Sequence, residues 1–281
     1  MRIAMYTDSG HVGIAACNGE GFHGVLSDHP DFPGSIKSLL ERGIDLTQVG
    51  QRLLVAPEVE LNAVRLLPPV QDPGKIICVG LNYADHAAET GLPAASYPTF
   101  FGRFASSLMG HGQPIVKPAG SDQLDFEGEL AVVIGRPGRN IAPSDALLHV
   151  AGYSIFNDAS VRDIQFRTSQ WMLGKNFDDT GAFGPWLVTP SSLPAGAKGL
   201  RLRTLLNGEV MQESNTDLMV HGVADLIAMA SEVMTLHPGD VIVTGTPCGV
   251  GFSRKPPVFM QLGDRCEVEI EQIGQLQNVV R

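Results

Sequence analysis

The sequence lacks a basic excess, a cysteine framework, a membrane-length apolar run and the common nucleophile and phosphate motifs. Each absence removes a class of function. Lys and Arg number 20 against 30 Asp and Glu, giving a formal net charge of −10 over 281 residues. Binding nucleic acid needs a basic surface, so no nucleic-acid partner is expected. A small anionic substrate remains open, because a bound cation or a few Lys and Arg can invert the field inside a cleft. The four cysteines, Cys17, Cys78, Cys248 and Cys266, are scattered, with no Cys-x-x-Cys pair and no His cluster at zinc-finger spacing. Free thiols in a reducing cytoplasm are the expectation. Met1 to Ala16 carries Asp8 and His11 without a long apolar core, unlike a secretion signal. No apolar run is long enough for a bilayer, so no membrane partner is expected. Gly-x-Ser-x-Gly is missing, which argues against a serine hydrolase. Gly174-Lys175 has neither the upstream Gly nor the following Ser/Thr of a P-loop.

What is present is turn chemistry and short apolar runs: 32 Gly, 19 Pro and 43% apolar residues. This pattern predicts a β-rich α+β fold rather than a helical bundle. Residues 1–70 read as a small N-terminal α+β domain. Arg2 to Tyr6 and His11 to Cys17 are strands about the turn Asp8-Ser9-Gly10, and Ser35 to Arg42 is a helix stopped by Gly43. Pro68 to Gly74 has linker composition, which makes residues 71–281 a second, larger domain.

That larger part is organised around Asp125-Phe126-Glu127-Gly128-Glu129-Leu130-Ala131-Val132-Val133-Ile134-Gly135, a strand closed by glycine. Side chains alternate along a strand, so Glu127 and Glu129 share a face, where like charges repel. A bound cation would offset that repulsion, and a solvated strand end is the bland alternative. Val150 to Ser160 is a second strand, with Asp158 at its polar end. Three carboxylates form an all-oxygen set suited to Mg²⁺, Mn²⁺ or Ca²⁺ rather than zinc. Asn82 can cap a short helix that Gly91 ends, with His86 and Glu89 at i and i+3 on one face of a possible lid. A surface His–Glu pair is the plainer reading of that segment alone. Arg162 and Gln165 are also i and i+3, and Lys175 follows Gly174 among aromatics. Phe100, Phe101 and Phe104 read as core aromatics, with Arg103 as a lone cation among them. Gly245 to Gly251 is a glycine-rich turn presenting backbone amides and the Thr246 hydroxyl. Glu267 and Glu269 repeat the Glu-x-Glu pattern on the last strand and read as a solvent face.

In order and spacing, five motifs resemble the fumarylacetoacetate hydrolase family over about Lys75 to Arg281. They are Asn82-Tyr83-x-x-His86-x-x-Glu89, Phe126-Glu127-Gly128-Glu129-Leu130, Phe156-Asn157-Asp158-x-Ser160-x-Arg162-Asp163-x-Gln165, Gly174-Lys175, and Gly245-Thr246-Pro247-x-Gly249-Val250-Gly251. The resemblance implies a mixed β-sandwich roll and usually a homodimer. It implies Glu127, Glu129 and Asp158 as ligands of a divalent metal, His86 and Glu89 as a base dyad, and Lys175, Gln165, Arg162 and Thr246 lining the substrate site beside Gly245. It also implies a 2-oxo acid substrate. Hydrolysis of a C–C bond in an acylpyruvate or 2,4-dioxo acid is the first expectation. Oxaloacetate-type decarboxylation, tautomerisation or lyase chemistry is the alternative, and a non-catalytic carboxylate-binding protein is the alternative of another class.

Overall fold

The structure, a computed structural model, describes residues 1–90 and 97–281. The fold is β-rich α+β, and its frame is a twelve-stranded mixed sheet. The order along it is Glu58–Val59, Phe22–Leu26, His11–Cys17, Arg2–Asp8, Gly181–Val188, Val150–Asp158, Gly128–Ile134, Val241–Val243, Ile76–Gly80 and Thr99–Arg103. Arg65–Leu67 and Leu108–Met109 pair off this path. Most ladders are antiparallel, but Val241–Val243 runs parallel to Ile76–Gly80. A four-stranded antiparallel sheet, Glu209–Asn215, Arg201–Leu206, Arg265–Ile270 and Gly274–Val279, packs against it through a shared core that includes Leu130, Val132, Leu202 and Val268. A two-stranded ribbon pairs Leu124–Asp125 with Ser160–Val161.

The sheet runs continuously into the N-terminal segment. Arg2 pairs with Val188 and Ile3 with Leu187. Met5, Ile14, Leu39 and Val49 share one apolar cluster with Val133, Phe156, Leu187 and Val243. The helix Ile36–Glu41 is capped by the Ser35 hydroxyl, which accepts from the Ser38 N–H, and Gly43 follows with φ +69°. The Asn207-Gly208 turn joins Arg201–Leu206 to Glu209–Asn215, both turn residues having positive φ, as a tight hairpin requires.

Three local expectations need correction. Asn82 does not cap the helix Ala84–Thr90. Its side-chain NH₂ donates to the carbonyls of Thr244 and His221, and its oxygen accepts from the His221 N–H. An Asn before a helix is a weak cap signal when distant backbone competes for it. The Gly91 stop lies outside the described residues. Glu267 is not solvent-facing but 6% exposed, because its strand is central and Arg265 and Gln275 fold over it. Phe104, read as core, is 55% exposed. All four cysteines are free, and Cys17, Cys78 and Cys266 are buried. Among the described residues no helix is long and apolar enough to cross a membrane.

Candidate active site

The strand Gly128–Ile134 pairs with Val150–Asp158 so that Gly128 faces Asn157. This register brings the Glu127 end of one strand beside the Asp158 end of the other. Ligand oxygens of Glu127, Glu129 and Asp158 lie within 4.8 Å of one another, all three residues buried, and no other such acidic group occurs among the described residues. Gly128 between the glutamates is forced by packing: a Cβ there would lie 2.1 Å from Thr204 Oγ1 of the second sheet. The motif therefore needs a glycine between two acids that turn the other way.

Four cationic or polar groups hold this cluster. Lys175 Nζ donates to Glu127 Oε2 and Asp158 Oδ2, both at 2.6 Å. Arg162 Nη1 lies 2.7 Å from Glu127 Oε1, and its Nε donates to Asp125 Oδ2 at 2.8 Å. The buried Arg103 Nε sits 3.1 Å from Asp158 Oδ1 and donates to the Lys175 carbonyl at 2.8 Å. The Ser160 hydroxyl donates to Glu127 Oε1 at 3.2 Å. Burial alone would raise the Glu127 carboxyl, but Lys175 and Arg162 outweigh it and pull it down to about 2. Burial likewise opposes the Lys175 ammonium, and Asp158 and Glu127 overcome it and hold the proton.

Glu129 differs. Among the described residues it has no side-chain cation of its own, and its Oε2 accepts from the Gly245 N–H. Burial, then the charges of Asp158 and Glu127, push its carboxyl well above the usual range. Asp158 Oδ1 is buried and accepts no aligned hydrogen bond. An all-oxygen set in which one buried acid lacks a cation of its own fits a hard divalent cation, whose charge would remove that penalty.

The cluster forms one wall of a cavity of about 140 Å³, lined also by His86, Arg162, Gln165, Lys175, Thr246, Phe101, Phe166, Trp171 and Phe252. The helix Ala84–Thr90 delivers His86, whose Nδ1 is 3.4 Å from Glu89 Oε2. Glu89 is anchored in turn: both its oxygens accept from the Gly249 N–H at 3.1 Å. Burial raises its carboxyl, yet hydrogen bonds from His86, Ser253 and Gly249 lower it further, so it stays ionised beside the imidazole. Arg162 and Gln165 occupy one short helix and bond directly, Nη1 to Oε1 at 2.8 Å. Gly174 lets Lys175 approach, since a Cβ there would lie 2.5 Å from the Gln165 Cα. Gly245, with φ +100°, turns the chain so that its amide meets Glu129 and Thr246 enters the cavity. The predicted residues His86, Glu127, Glu129, Arg162, Gln165, Lys175 and Thr246 thus line one cavity, with Asp158, Glu89 and Gly245 bonded to them.

Sequence reasoning passed over three further residues. Asp125 is fully buried and joins Arg162 to the N–H groups of Gly251 and Phe252. Gln212, 1% exposed, accepts from the Gly128 N–H and donates to Thr246 Oγ1 at 2.8 Å, tying the second sheet to both site loops. Arg103 reads from the sequence only as a lone cation. Asp125, two residues before Glu127, carried a usable signal, since a second acid at a strand start needs a partner. Gln212 carried none.

The C-terminal model of fumarylacetoacetate hydrolase matches residues 75–281. The chain belongs to this family. Its sequence is 43% identical over 274 residues to human "Oxaloacetate tautomerase FAHD2A, mitochondrial", covering 96% of this chain and 87% of that protein. A fumarylacetoacetate hydrolase structure from Exiguobacterium antarcticum superposes with TM-score 0.87 at 39% identity, covering 100% of this chain and 99% of the other. A 5-carboxymethyl-2-hydroxymuconate delta-isomerase structure from Mycobacterium smegmatis superposes with TM-score 0.76 at 37% identity, covering 100% and 98%. The family is one of enzymes, and the structure gives this chain a buried group of three acids of the kind that holds a metal ion.

Proposed function

We propose that the protein moves a proton between carbon and oxygen of a 2-oxo acid, interconverting its keto and enol forms. The carrying observation is that His86, with Glu89 on its Nδ1, lines the same cavity as the carboxylate cluster and Lys175. Relatives named for tautomerase and isomerase activity support the same choice.

In this reading Glu127, Glu129 and Asp158 hold Mg²⁺ or Mn²⁺, with Ca²⁺ as a further fit to the all-oxygen set. When bound, the cation supplies positive charge to the oxygens of the 2-oxo acid. His86 takes the C3 proton through the nitrogen that Glu89 leaves free, the C–H pair becomes the C2=C3 double bond, and the carbonyl π pair moves onto the C2 oxygen. Glu89 stabilises the imidazolium that forms, and the proton then returns to oxygen. Lys175 pairs with Glu127 and Asp158 and places its ammonium charge beside the developing oxyanion. Arg162, Gln165 and Thr246 orient the acid.

A second reading has one observation in its favour. A His–Glu dyad can equally take a proton from water, which would then attack the distal carbonyl of an acylpyruvate and release the enolate of a shorter 2-oxo acid. The two readings part on products. Enolisation incorporates solvent deuterium at C3 with the carbon chain intact, whereas hydrolysis yields two shorter acids. If NMR in D₂O shows neither exchange above background nor cleavage for any 2-oxo acid, both are wrong.

A further inference from the structure

One turn, residues 249–252, touches both working halves of the site. At its start the Gly249 N–H donates to both oxygens of Glu89 at 3.1 Å, placing the partner of His86. Two residues on, the Gly251 and Phe252 N–H groups donate to Asp125 Oδ1 and Oδ2 at 2.7 and 3.0 Å. The same carboxylate receives Arg162 Nε on Oδ2 at 2.8 Å. The Arg162 guanidinium carbon also lies 4.5 Å from the centroid of the Phe252 ring. The turn has no slack. A Cβ on Gly251 would lie 1.8 Å from the Val258 carbonyl oxygen and 2.5 Å from Asp125 Oδ1. A Cβ on Gly249 would lie 2.3 Å from the Met211 carbonyl oxygen.

Asp125 is fully buried and does not line the cavity, so anything it does for the reaction passes through other residues. With the Phe126 N–H at 2.8 Å it meets four donors: three backbone amides and one guanidinium N–H. A carboxylate, with acceptors alone, satisfies all four, whereas an asparagine would turn an NH₂ against either the guanidinium or the turn. Arg162 lines the cavity, and its Nη2 is buried without a partner among the described residues. Because the guanidinium is planar, the bond that Asp125 makes at Nε also fixes where Nη2 lies.

We propose that Asp125 is a positioning residue that holds the base dyad and Arg162 in one register through the 249–252 turn. The inference rests on the reading of His86 and Glu89 as the base and adds a residue on which both halves depend. The test compares the metal-loaded protein with Asp125→Asn, which breaks the contact from the strand, and Gly251→Ala, which pushes the turn off it. Two quantities are measured: amide exchange at Gly249 by NMR, and kcat and KM for deuterium entry at C3 of oxaloacetate. Both variants should speed Gly249 exchange by roughly tenfold or more, while amides of the central strand Arg265–Ile270 stay within about threefold. Both should lower kcat and raise KM, each by roughly tenfold, because Glu89 serves turnover and Arg162 serves binding. The double variant should fall within about threefold of the worse single one, since both break one contact. Should Asp125→Asn fail to fold, Gly251→Ala carries the same measurements from the turn side. Unchanged Gly249 exchange, or an equal rise at every amide, overturns the coupling and leaves the enolisation reading intact. A loss in kcat with KM unmoved overturns the shared register, because Arg162 then stands outside it. Faster Gly249 exchange with kcat unchanged upholds the contact and overturns the base role of Glu89.

Discussion

The chain contains two Glu-x-Glu strands, and they have opposite fates. Glu127 and Glu129 are at most 5% exposed and share their face with Asp158 from a neighbouring strand. Glu267 and Glu269 are met by Arg265, Arg203 and Gln275 on the second sheet, where no third acid joins them among the described residues. The pattern alone makes no site. What makes one is a third carboxylate brought by strand register and a deficit of positive charge left uncancelled, as Glu129 is. At the second pair every acid has a local partner, and a cation would find nothing to correct.

That contrast can be broken by mutation. Glu127→Gln should drop turnover to background, whereas Glu267→Gln should leave kcat within about threefold, as a change remote from the reacting atoms; steady-state kinetics on both variants decides it. His86→Ala should cost roughly 10²–10⁴ in turnover if His86 carries the proton. Glu89→Gln should fall close to it, because an amide cannot stabilise the imidazolium. Equal turnover of His86→Ala and the parent protein would remove the dyad from the reaction.

The ion pairs should differ in energy as the acids do in function. Lys175 is buried, so Lys175→Met leaves Glu127 and Asp158 facing each other and should destabilise the metal-free protein by about 3–5 kcal/mol. A divalent cation should restore much of that. Arg203 and Glu269 have side chains 28% and 30% exposed, and Arg203→Met should cost about 1 kcal/mol or less. Chemical denaturation with and without Mn²⁺ separates the two. A smaller effect lies at high pH. Burial pushes Cys266, beside Glu267, up to about 12 and Tyr153 up to about 12. A raised pKa favours the fold below the unfolded value and loses that contribution as pH rises through the folded one. The denaturation midpoint should therefore decline from about pH 9 to 12, and Cys266→Ala with Tyr153→Phe should flatten the decline.

The parts of the site legible in the sequence are those whose logic is local. Glu127 and Glu129 follow from strand alternation, His86–Glu89 and Arg162–Gln165 from helical spacing, and Gly245-Thr246 from a glycine turn. What stayed hidden is held by distant pairing. Asp125 meets the Gly251 amide 126 positions away, and Gln212 reaches Gly128 across 84. The aromatic wall assembles from Phe101, Trp171 and Phe252, three stretches of chain that local spacing does not bring together. Glu267 departs from its solvent-face reading because alternation tells which face a side chain takes, not what covers that face.

Direct metal binding bears most closely on the claim that Glu127, Glu129 and Asp158 are the centre of this enzyme. Calorimetric titration of chelator-treated protein with Mn²⁺ should give one site per chain, lost in Glu129→Gln and kept in Glu269→Gln. Unchanged Mn²⁺ stoichiometry and affinity in Glu129→Gln would contradict it.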